Sequence, residues 1–68
     1  MSFTVTPLRT AAAAHGDHSA AAIARRIGAP YPSVIRWTSG RSVPAGPALA
    51  LIERAYGVTP AALFPADA

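Results

Sequence analysis

Cysteine is absent from the 68-residue sequence. Neither a disulfide nor a thiolate-held metal can staple the chain, and its redox compartment is left open. At this size one small core must be made by close packing alone. Long apolar runs are absent too, because arginine, histidine and proline interrupt the chain throughout, which excludes a membrane span. Met1–Thr6 has neither the charged start nor the apolar stretch of a secretion signal, so a cytoplasmic location is expected. Acidic residues are few, and none lies between Asp17 and Glu53. Lysine is missing, so every positive side chain behind the formal net charge of +3 is arginine. Guanidinium grips phosphate or a guanine edge with two hydrogen bonds, which ammonium cannot do. An Ala-, Arg- and Pro-rich chain also fits a GC-rich coding bias, so the arginine preference alone carries little weight.

The acid-free stretch does contain Arg25, Arg26, Arg36 and Arg41. One sign of charge across a continuous segment suits a phosphate-facing surface, although a solvated basic face would look the same in isolation.

Helix signals recur along the chain. Ser2–Thr6 alternates Phe3 and Val5 with small polar residues, as an extended arm or a short edge strand does. Thr6–Pro7 predicts the start of a first helix, with Thr6 as hydroxyl cap and Pro7 at the first helical position. Leu8, Ala11, Ala12 and His15 share its inner face, and Gly16 stops it. Ser19 is the expected cap of a second helix running to about Ile27. Because proline disfavours the helical region for the residue before it, Ala29 and Tyr31 are expected to be extended, and the third helix to begin at Pro32. It should end near Thr38–Ser39, with Gly40 as terminator. After a loop over 41–46, Pro47 opens a fourth helix with Leu49, Ile52 and Tyr56 inward and Gly57 at its end. Thr59–Pro60 begins a last short turn over Ala61–Phe64, closed by Pro65. The expected fold is all-α: an arm over 1–6, a compact bundle of about five short helices over 7–65, and a tail over 66–68.

The most informative stretch is the second helix, its turn and the third helix. Ile23, Ala24 and Ile27 give one apolar face. Gly28 supplies the left-handed position that ends that helix, and Val34 with Trp37 forms the next buried i, i+3 pair. Two short helices around a tight glycine turn meet the needs of a DNA-binding helix-turn-helix, whose second helix enters the major groove.

At this point the pattern resembles a known family. Ile23-Ala24-x-x-Ile27-Gly28, Val34-x-x-Trp37-x-x-Gly40-x-x-x-Pro44, Leu49-x-x-Ile52 and Gly57-Val58-Thr59-Pro60-x-x-Leu63-Phe64-Pro65 are similar to the lambda-repressor-like regulators, and within them to the Cro-like or YdaS-like phage and prophage branch. The likeness covers roughly 8–65. It implies sequence-specific binding of double-stranded DNA, repression or regulation of transcription, and a homodimer that can be DNA-dependent. Carried over by position, Tyr31, Pro32, Ser33 and Arg36 would face the bases. Ser19, the amide of Ala20, Ser39 and Arg41 would meet phosphates, and Arg25 and Arg26 are further phosphate candidates on their charge alone. Arg36 is the expected base reader, because arginine to guanine is the commonest specific contact and contributes roughly 1–3 kcal/mol of discrimination. The chain departs from the family at Pro30, where a polar cap is usual, and at Tyr31 and Pro32, where an amide is usual. Pro32 can offer only apolar contact, for example to a thymine methyl.

Other readings of the same residues are plainer. Arg25 and Arg26 leave their helix about 100° apart, so one contact and one solvated charge are expected. Arg9 and Arg54 read as surface residues. Ile35 reads as packing on the fourth helix, and Trp37 as core rather than a stacking platform. His15, Asp17 and His18 lack a fourth metal ligand. Ser19 beside His18 has no oxyanion-hole motif or elbow glycines, so neither cofactor nor enzymatic activity is expected. Phe3 with Val5, or Leu63 with Phe64, could serve a dimer contact. The rival classes are a protein-interaction module (antitoxin, anti-repressor or activator) and a DNA-architectural or recombination accessory protein.

Overall fold

Among the described residues, four of the five helices carry proline in their first turn, where a missing N–H leaves no acceptor unsatisfied and the fixed φ already suits a helix. The computed structural model describes residues 3–65. The chain runs α1 (Thr6–Ala14), α2 (Ala20–Ile27), α3 (Tyr31–Thr38), α4 (Gly46–Tyr56) and α5 (Pro60–Leu63), an all-α bundle with no strand among the described residues. No helix is long and apolar enough to cross a membrane among these residues. The tail over 66–68 and the first two residues of the arm lie outside them.

Four helices differ in their bounds from the sequence expectation. Helix α4 begins at Gly46, inside the expected loop, with Ala45 as its cap, and α5 spans Pro60–Leu63 rather than Ala61–Phe64. Helices α1 and α3 each start one residue early. The cap of α1 is Val5, not Thr6, and no side chain caps it. The chain enters already in the helical region at Val5, whose carbonyl accepts from the Arg9 amide at 3.0 Å. The third helix begins at Tyr31 rather than Pro32. The Pro30 carbonyl accepts from the amides of Ser33 (3.1 Å) and Val34 (3.3 Å), and closing that first turn outweighs the bias against a helical residue before proline. Ser19 and Thr59 do cap as expected, each hydroxyl accepting from the amide three residues on.

Helix α2 ends at Gly28, which sits at φ 79°. Only glycine takes that conformation without a Cβ penalty, and it lets three residues turn the chain into α3. The core is made of Leu8, Ala12, Ile23, Ala24, Ile27, Val34, Trp37, Ile52, Tyr56, Val58 and Leu63, with Pro44 buried beside the loop. Leu49, expected inward, is half-buried against that core, and His15 caps the end of α1 with its side chain exposed. The described part of the arm, from Phe3, forms no strand. The Thr4 amide donates to the Leu63 carbonyl at 2.8 Å, and the Phe3 ring packs at 5.5 Å on Phe64.

A polar clasp locks the α1–α2 turn onto α4. Asp17 accepts from the Arg26 guanidinium and, at 2.7 Å, from the Tyr56 hydroxyl. The Arg26 guanidinium also lies 5.9 Å from the centre of the Tyr56 ring, and His15 meets that ring edge-on at 5.4 Å. Chiefly through the Arg26 hydrogen bond, and then that from Tyr56, the Asp17 carboxyl is held below its ordinary value of 3.8. Burial, reinforced by the carboxylate, pushes the Tyr56 phenol up to about 12, so it stays a donor.

A carboxyl depressed on folding stabilises the fold above its unfolded pKa, and that stabilisation disappears as pH falls through the lower folded value. Thermal melts of the native chain should therefore lose Tm as pH drops below about 4. Asp17→Asn should begin with a lower Tm at neutral pH and show a flatter acid limb. Equal acid limbs for the two proteins would mean the clasp contributes nothing to stability.

Candidate nucleic-acid interface

The outward side of α3 follows from which residues it buries. Val34 is fully buried and Trp37 only 5% exposed, which turns the opposite arc outward. At about 100° per residue, Tyr31, Ile35, Ser39, Pro32 and Arg36 fall in that order across this arc, and all five are exposed. Ser33 falls outside it, half-buried beside the Trp37 flank. Ile35, expected to pack on α4, stands 38% exposed in the outer arc. Its position four residues after Tyr31 and four before Ser39 already carried that signal.

The expected phosphate positions divide. Ser19 caps α2 with its hydroxyl accepting from the Ala22 amide at 3.1 Å, which leaves the first-turn amides, Ala20 among them, at a positive helix end. Ser19, Ala20 and Thr38 line one open depression of about 250 Å³ together with Arg9, Asp17 and His18. The start of α2 and the end of α3 therefore meet on the same side of the molecule, with Ser39 next in the chain and exposed Arg41 just beyond. The Ser39 hydroxyl donates to the Arg36 carbonyl at 3.3 Å, so its proton is engaged within the helix end.

Arg26 is withdrawn from the phosphate set, because its guanidinium is bound to Asp17 and faces α4. Arg25, its exposed neighbour, remains. Among the described residues no carboxylate pairs with Arg25, Arg36 or Arg41.

One arginine read as a plain surface residue has a defined role. Arg9 on α1 donates to the Thr38 carbonyl at 2.8 Å, across 29 positions of sequence. That carbonyl sits in the last turn of α3, where acceptors lack helical partners and a cation is favoured. The bond fixes where α3 ends relative to α1. Nothing local in the sequence marks it, since it depends on how the two helices approach.

His15 points to the Tyr56 ring, Asp17 is engaged by Arg26 and Tyr56, and no cluster of potential metal ligands occurs among the described residues. Compared with family models, with curated proteins and with solved structures, the chain matches none.

Proposed function

We propose that this domain binds duplex DNA as a helix-turn-helix regulator of the lambda-repressor-like, Cro-like kind, with α3 in the major groove. One observation carries the reading: the exposed arc of α3 bears Arg36, and the start of α2 adjoins the end of α3 at the depression shared by Ser19, Ala20 and Thr38. A groove-reading helix needs such flanking donors, because phosphate contacts position the protein while base-edge contacts specify the sequence. No acidic residue occurs in the sequence from residue 18 to residue 52, and the one carboxylate lining the depression, that of Asp17, is engaged by Arg26 and Tyr56.

In this reading Arg36 addresses guanine, while Tyr31, Pro32 and Ile35 make apolar contact in the groove. The Ala20 amide, Arg25 and Arg41 meet phosphates. Two protomers occupy half-sites about one helical turn apart, since one such domain offers a small footprint. Leu63 is fully buried in its own core, so a protomer contact draws on the half-exposed Phe3, Val5 and Phe64 instead. Repression of transcription in the cytoplasm is the role this arrangement fits.

Selection from a random duplex pool tests the proposal. A spaced inverted repeat should be enriched, and log affinity for it should fall with log salt. With Arg25 and Arg41 of two protomers on phosphates, the slope should be about −4. Failure to enrich any duplex, with negligible retention at moderate salt, would overturn the proposal.

A further inference from the structure

The outer arc of α3 has an unusual chemistry for a base-reading surface. Tyr31 is 51% exposed and Ile35 38%, with Pro32 exposed beside them. Together they put three apolar side chains next to one guanidinium, that of Arg36. The hydroxyls at the end of the helix donate back to its own carbonyls. Thr38 donates to the carbonyls of Val34 and Ile35, and Ser39 to that of Arg36.

Each base edge in the major groove asks for a different partner. Adenine is read two-handedly by Asn or Gln, and none of the 68 residues is either. Cytosine asks for a carboxylate acceptor, and α3 has no acidic residue. Guanine suits Arg36. The remaining feature that a major groove offers to apolar side chains is the thymine 5-methyl group.

We infer that the site preference of this chain is set by thymine methyl groups packed on Ile35 and Tyr31, beside a single guanine held by Arg36. The four residue steps from Tyr31 to Ile35 rise about 6 Å along the helix, which spans about two base steps at 3.4 Å each. The two side chains therefore address methyls on nearby pairs rather than the same one. Duplex DNA is the favoured occupant of this apolar arc because Arg36 lies within it, exposed Arg41 follows the end of α3, and no acid occurs in the sequence from residue 18 to residue 52.

The inference rests on the DNA-binding reading, and its test separates the two. The purified full-length chain is titrated against its selected duplex at constant salt. A second duplex carries deoxyuridine at the thymines of the half-site, which removes only the methyl groups. Binding should weaken about fourfold for each methyl removed. Ile35→Ala alters an exposed side chain, so it should fold normally, and it should lose most of the difference between the two duplexes while still requiring the guanine. Equal affinity of the native chain for both duplexes would overturn the inference and leave DNA binding standing. A uracil penalty that persists undiminished in Ile35→Ala would also overturn it, since the methyls would then act through DNA shape. If no duplex is selected at all, both readings fall, and the apolar arc belongs to a protein partner.

Discussion

Arg36→Ala should abolish selective DNA binding while leaving the domain folded. Arg36 is exposed in the last turn of α3, and its guanidinium meets no carboxylate among the described residues. Its backbone carbonyl, which accepts from Ser39, Arg41 and Ser42, is unaffected by truncating the side chain. Exposed substitutions of this sort shift stability by about 0.5 kcal/mol at most. Losing an arginine–guanine pair costs roughly 1–3 kcal/mol of discrimination. Two half-sites double that to about 2–6 kcal/mol, or a loss of selectivity between about thirtyfold and about twenty-thousandfold. Weak, salt-sensitive binding to any duplex should survive, because Arg25 and Arg41 are untouched. The variant and native chains compared on the selected duplex and on a scrambled one give this ratio directly. An unchanged ratio would remove Arg36 from base reading, and a protein complex that persists in the variant would favour the interaction-module alternative.

Trp37→Ala should have the opposite character, destroying the fold rather than the selectivity. Trp37 is 5% exposed and holds α3 against the core with Val34. Truncating a buried aromatic residue to alanine costs about 3–5 kcal/mol. Stability of roughly 0.05–0.15 kcal/mol per residue gives a chain of this length only about 3–10 kcal/mol in total. The variant should therefore be largely unfolded at 25 °C or melt tens of degrees earlier, as circular dichroism would register. Trp37→Phe should recover much of the loss. A stable, helical Trp37→Ala protein would mean that the side chain is not part of the core.

The contrast between these neighbouring residues shows which properties the sequence made legible. Val34 and Trp37 were readable because a three-residue apolar spacing has one helical meaning. Gly28 was readable because a left-handed helix end has few other solutions. Arg36 followed from standing next to Trp37. The clasp of Asp17, Arg26 and Tyr56 was not readable, since Asp17 and Tyr56 are 39 positions apart and meet only after α4 docks. The same holds for Arg9 and the Thr38 carbonyl. At the helix starts, local preference pointed to Thr6 and Pro32, but turns closed by the Val5 and Pro30 carbonyls began each helix one residue earlier in register. Ile35 was misplaced for a simpler reason. An isoleucine looks like core until the face that Val34 and Trp37 bury is fixed, and only then does its own angle put it outside.

The junction of Phe3 and Thr4 with Leu63 and Phe64 has a consequence for how the domain could be joined to other chains. A polypeptide entering at residue 3 and one leaving at residue 65 emerge at nearly the same spot. The domain could thus be spliced into a surface loop of a larger host through two short tethers. The host would need only to bring its two cut ends close together.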